Sequence, residues 1–213
     1  MRGRTAALIA ATAALTTGGV VASATAAQGP PPSPVGAKGV KVKQFATGLL
    51  TPTSFAFGGG NVFEGDGGSE SSAVPNGGVF LLKHGTATKL DGSPNFVGGL
   101  VWHKGTLYVS GATAGATGIK FQLQAWSGWT GSKFAKQKVI WTAPKKLDGL
   151  NGVAFGPDGR LYVGVDVGLL HHGDHGPPKT PYVYKILSFK ANGTDLRVFA
   201  SGIRQPWQFA FAR

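Results

Sequence analysis

The chain has 213 residues, 42% hydrophobic and 14% charged, with 35 Gly, 13 Pro, no Cys and a mean hydropathy of +0.03. Charge well below the roughly 25% usual in soluble domains, with Gly at about twice its ordinary share, argues against a disordered chain and a long-helix bundle, and no Gly-X-Y period supports collagen. Zero Cys excludes disulfides, thiolate metal sites and a Cys nucleophile, while a net charge of +12 favours anionic polymers, lipid surfaces or acidic ligands without specifying nucleic acid.

Arg2 and Arg4 precede an apolar, Ala-rich stretch from Ala6 to about Val21, followed by the small-residue run Ala22 to Ala27. This is the pattern of a secretory signal over residues 1–27, with cleavage after Ala24, Ala26 or Ala27, and it predicts an extracellular protein. The alternative is an uncleaved anchor, but Ala, Thr and Gly give only weak apolarity to a segment that needs about 20 apolar residues, so no stable membrane span is expected after cleavage. Residues 28–39 contain Gly29-Pro30-Pro31-Pro32-Ser33-Pro34, an extended tether that cannot join a central strand. Residues 40–213 form the folded domain.

That domain repeats a short apolar strand, a Gly-containing turn and a second strand. The copies are Ser54-Phe55-Ala56-Phe57 with Asn61-Val62-Phe63, Gly99-Leu100-Val101-Trp102 with Thr106-Leu107-Tyr108-Val109, and Gly152-Val153-Ala154-Phe155 with Arg160-Leu161-Tyr162-Val163-Gly164. Gln208-Phe209-Ala210-Phe211 begins a fourth. The aromatic anchors Phe57, Trp102, Phe155 and Phe211 are spaced by 45, 53 and 56 residues, which suits four-stranded propeller blades. Third strands are predicted at 79–82, 121–126 and 182–187, and fourth strands at 138–141 and 196–199, with a hairpin turn at Asn192-Gly193. The fold class is therefore all-β, a β-propeller with about three to four blades present. Closed propellers have at least about four blades, so the sequence is expected to be part of a larger ring, stopping inside an innermost strand and leaving an open edge.

Up-and-down strands send the second-to-third-strand loops and the interblade loops to one face. Asp66, Glu70, Asp91, Asp148, Asp166 and Asp174 fall there, with His171, His172 and His175. Imidazoles and carboxylates this close suit proton transfer or a divalent metal, which makes His171, His172 and His175 candidate catalytic groups and Asp166 and Asp174 candidate metal ligands, although the spacing matches no strong ligand signature. Asp148 is placed to act as a base and Asn151 to offer a carbonyl oxygen to a hard cation such as calcium; both also suit simple shaping of the turn into the strand. Arg204 offers a planar fork for a carboxylate or phosphate and Trp207 a stacking ring, the alternative being a rim Arg with Trp207 in the core. Each Gly-rich turn joins two strands rather than opening a helix, so none is a phosphate loop, and no Gly-x-Ser-x-Gly elbow occurs.

Asn151 to Val165, followed by Tyr184-Lys185-Ile186-Leu187, Asn192-Gly193-Thr194-Asp195, Val198-Phe199-Ala200-Ser201-Gly202 and Ile203-Arg204-Gln205-Pro206, resembles the soluble glucose/sorbosone dehydrogenase family. The similarity covers mainly residues 147–211. It implies an exported six-bladed propeller that oxidises a sugar or small alcohol by hydride transfer, with pyrroloquinoline quinone and calcium at the mouth. By the same resemblance Arg204 contacts the quinone, with Gln205 and Trp207 beside it. Gln205 stands where the family has Asn, Asp148 stands where the family has its catalytic His, and the usual Gly-Asp-Gly loop becomes Gly164-Val165-Asp166-Val167-Gly168. Asn151-Gly152-Val153-Ala154-Phe155 also resembles lactonase and strictosidine-synthase-like propellers, in which an Asn helps bind a divalent metal. The expected functions are a quinone-dependent sugar dehydrogenase, a non-catalytic secreted propeller whose basic surface binds anionic cell-envelope polymers or proteins, or a metal-dependent lactonase-like hydrolase.

Overall fold

A computed structural model describes residues 35–69, 76–116, 118–145, 147, 149–166 and 181–212. The chain divides into two units, Met1–Val42 and Lys43–Arg213. In the first, residues 35–42 form a mostly exposed turn in which the Val40 N–H donates to the Ala37 carbonyl at 2.8 Å.

The second unit contains three four-stranded antiparallel sheets. Blade 1 is β1 (Pro52–Gly58), β2 (Asn61–Asp66), β3 (Gly78–Lys83) and β4 (Thr86–Lys89). Blade 2 is β5 (Phe96–His103), β6 (Thr106–Gly115), β7 (Gly118–Trp129) and β8 (Phe134–Thr142). Blade 3 is β9 (Leu150–Phe155), β10 (Leu161–Val165), β11 (Lys185–Phe189) and β12 (Arg197–Ser201). Each sheet keeps its strands in chain order, the meander of a propeller blade. The described residues contain no helix.

Burial explains the composition of each strand. β2, β6 and β10 lie inside their sheets with both faces largely covered, and β10 reads Leu161-Tyr162-Val163-Gly164-Val165 with every residue buried. The outer strands β4, β8 and β12 are mostly exposed; β4 is largely polar and β8 carries Lys136, Gln137 and Lys138, whereas β12 leaves Val198 and Phe199 open. Tight turns set the register. Phe57 pairs with Val62, Trp102 with Leu107, and Phe155 with Leu161, so the first two strands of all three blades superpose residue for residue. The β5–β6 turn needs positive φ at both central residues, and Lys104 (46°) and Gly105 (77°) supply it.

The blades meet through aromatic pairs repeated at each junction. Phe63 of blade 1 stacks on Trp102 of blade 2 at 5.6 Å, Tyr108 meets the edge of Phe155 at 4.9 Å, and Tyr162 meets Phe211 at 4.7 Å. Around the first pair lie Leu107, Val109, Trp126 and Phe134; around the second, Leu123, Leu161, Val163, Leu187 and Phe189. Each fully buried side chain of this size stabilises the fold by about 1.5–3 kcal/mol, so the two clusters account for most of the cohesion between blades.

Three expectations change in detail. The third strand of blade 3 starts at Lys185 rather than Tyr182, because Tyr182 and Tyr184 take left-handed conformations, at φ 67° and 59°. Asn192 and Gly193 do form the β11–β12 turn, but only Gly193 is left-handed, at 83°; the Asn192 side chain instead accepts from the Thr194 N–H and hydroxyl. Residues 208–211 pack as an innermost strand would, yet form no ladder, since no neighbouring strand pairs with them.

Candidate functional site

Because the strands alternate direction, the β2–β3 and β10–β11 connections and the links between blades emerge at one end. Asp66 ends β2, Asp91 lies in the β4–β5 link, Asn151 opens β9, and Asp166 follows β10 at this end. Asp148, His171, His172, Asp174 and His175 lie outside the described residues.

The four inner segments are joined in a circuit here. The Thr53 hydroxyl donates to the carbonyls of Val97 and Gly65, both at 2.6 Å, linking blade 1 to blade 2. Gly98 and Gly99 let β9 pass so close that a methyl group on either would collide with the backbone of residues 150–153. Gly152 in turn admits the carbonyl of Trp207, and the Gln208 side chain donates to the Thr53 carbonyl at 3.1 Å. Small residues at these points are therefore required by backbone approach.

Within the circuit, Asn151 is fully buried. Its carbonyl accepts the Ser110 hydroxyl, while its side-chain Nδ2 has no hydrogen-bond partner. An unpartnered buried donor is costly, and it is suited to an acceptor atom brought by a ligand. Asp166 is also buried, with its N–H donating to the Gly149 carbonyl at 3.1 Å. On the segment entering the fourth repeat, Arg204 is exposed, Gln205 is half-buried at φ 47°, and Pro206 is buried. Trp207 is 40% exposed, which places its ring outside the core.

Asp66 has a structural task. Its carboxylate accepts from the N–H groups of Leu50 at 2.8 Å, Thr51 at 3.2 Å and Gly68 at 2.6 Å, tying the segment before β1 to the loop after β2. Asp195 does the same at the opposite end, bridging Arg160 at 2.9 Å and Arg197 at 2.8 Å; Arg197 first and Arg160 second hold its carboxyl below the usual range.

Sequence reasoning passed over Glu64. It is 0% exposed, and neither carboxylate oxygen has a hydrogen-bond partner. Burial pushes its carboxyl up to about 8, with the nearby charge of Asp66 acting in the same direction. The Thr53 amide offsets part of that rise without closing a hydrogen bond. The signal was present in the repeat alignment, which sets Glu64 against Val109 and Val163.

The fit to the implied cofactors is uneven. A planar, anionic quinone matches an exposed guanidinium and an exposed indole on one short segment. Calcium is less well served: among the described residues no three His, Cys, Asp or Glu side chains come together, and the free group of Asn151 is a donor.

Together these features define a partial β-propeller with polar side chains gathered at one end. Among solved structures, the fold is similar to a Thermus thermophilus protein assigned as an oxidoreductase (glucose dehydrogenase), with TM-score 0.53 and 20% identity. That match covers 78% of this chain and 56% of the other, so the chain spans little more than half of its neighbour's length. A chain of a nidogen/laminin complex gives TM-score 0.45 at 13% identity, covering 71% of this chain and 48% of its own. No family model and no curated protein matches.

Proposed function

We propose that this protein is an exported propeller of the quinone-dependent sugar dehydrogenase kind, acting on a sugar or small alcohol. The observation that carries the reading is the segment 204–207, which holds an exposed Arg204 and a part-exposed Trp207 while its backbone is locked against Gly152, next to the unpartnered amide of Asn151. Arg204 would hold a carboxylate of the cofactor, Trp207 would stack on its ring plane, and Asn151 would donate to an acceptor oxygen. The quinone, when bound, supplies the hydride acceptor. Asp148, or one of His171, His172 and His175, would take the proton of the substrate hydroxyl. The fold neighbour's assignment and the resemblance over residues 147–211 support the same reading.

The test is titration of metal-stripped, full-length protein with pyrroloquinoline quinone, with and without calcium, following cofactor absorbance and thermal stability. Saturable binding that Arg204→Ala weakens at least tenfold is expected, and unchanged affinity in that variant removes Arg204 from the site. No binding by demonstrably folded protein favours a second reading, a non-catalytic module for anionic cell-envelope polymers. Exposed Lys133, Lys136 and Lys138 along the β8 edge support that alternative, which requires salt-sensitive polymer binding.

A further inference from the structure

Blade 1 carries an acid where its sister blades carry valine. Val109 and Val163 are 0% exposed and lie among the apolar side chains of the two blade junctions. Glu64 occupies the same register, equally buried, with Phe55 and Phe80 as its cross-strand neighbours. A carboxylate at such a position must find a cation, a set of donors or a proton.

The surroundings leave the proton. Asp66 faces the same side of the sheet, but its carboxylate is engaged by three backbone N–H groups and its charge opposes a second one. Lys89 shares the face through its pairing with Phe80, yet its ammonium donates to the Gly77 carbonyl at 2.6 Å. β1 and residues 47–51 bring no titratable side chain, and Lys83 lies exposed at the far end of β3. No described cation pairs with Glu64.

We infer that Glu64 is an uncharged, buried acid that couples the stability of blade 1 to proton concentration, so that the fold weakens as the medium turns from acidic to mildly alkaline. The sign follows from the two states. In the unfolded chain this carboxyl ionises near 4.5, whereas in the folded protein it keeps its proton to about 8. Between those values the native state binds the extra proton, so stability falls across the window and levels off above it.

Glu64 and Glu70 are the only glutamates, so selective 13C labelling of glutamate carboxyls gives two resonances. One is expected to titrate with a midpoint near 8 and to vanish in Glu64→Val, a change that copies the residue type of Val109 and Val163. The melting temperature of Glu64→Val should exceed that of the native protein by a margin that grows by several degrees from pH 4.5 to 8. Two glutamate resonances both titrating below about 5.5, or a margin independent of pH, overturns the inference. The resonance measurement needs only the native chain, so it decides the matter even if the variant fails to fold.

Discussion

Blade 1 and blade 3 share a register and differ in what surrounds it. In blade 3, Phe155 lies on Tyr108 and His103, and Val163 is sealed into the junction with blade 2. In blade 1, the equivalent Phe57 is 72% exposed, its strand neighbour Phe55 is 50% exposed, and Glu64 replaces the valine. The same local pattern thus yields a cohesive interface in one place and a bare aromatic face beside a buried acid in the other. Periodicity dictates which residues share a face; only the neighbouring sheet determines what that face is worth.

The comparison is most severely broken by transplanting the acid. Val163→Glu should cost about 4 kcal/mol or more, because no described donor waits for a carboxyl in that cluster. Urea unfolding measures it, and a loss under about 1 kcal/mol means the junction is wetter than its packing indicates. The paired truncations Phe155→Ala and Phe57→Ala sharpen the contrast at the next scale. The first should cost about 3 kcal/mol and the second less than about 0.5, since only Phe155 gives up packing. Equal costs would show that Phe57 is covered in solution.

The smallest expected effect belongs to His103, whose ring stacks on Phe155 at 3.9 Å. Burial, and secondarily Lys104, lower its imidazole below the ordinary 6.5. The folded state therefore resists protonation, and the stability present above pH 6.5 is lost as the pH falls through the depressed value. His103→Phe keeps the stack without the titration, so its melting temperature should overtake that of the native protein by about one to two degrees between pH 7 and 5. Parallel melting curves would show that the ring titrates in the folded state as it does in the unfolded chain.

Much of the architecture was legible because aromatic anchors and Gly-containing turns recur where two strands of every blade must meet. Leu161-Tyr162-Val163 and Phe155 fall where the repeat puts them. β4 was not, since Thr86-Ala87-Thr88-Lys89 is an exposed edge with no apolar alternation to betray it. The left-handed backbone at Tyr182 and Tyr184 is equally silent in the sequence, because tyrosine has no preference for that region. Of the proposed site, Arg204 and Trp207 are candidates by residue type alone. The burial of Asn151 was not legible, because the pairing of β9 with β10 shifts register between Val163 and Val165 and breaks the alternation that would have placed it. Glu64 stands inside a strand, where a lone acid reads as a solvated position until the valines of the sister blades are set against it.

The bond from Gln208 to Thr53 joins residues 155 positions apart, whereas each blade is stitched from strands adjacent in sequence. These contacts belong to different times. A hairpin forms within about 1–10 μs, but at 5–20 residues per second Gln208 follows Thr53 by roughly 8–30 s of synthesis. Within that interval the three blades are completed in turn, at residues 89, 142 and 201, while the contact between Thr53 and Gln208 is still unmade. The contact that spans the four inner segments is thus made only after the sheets it joins.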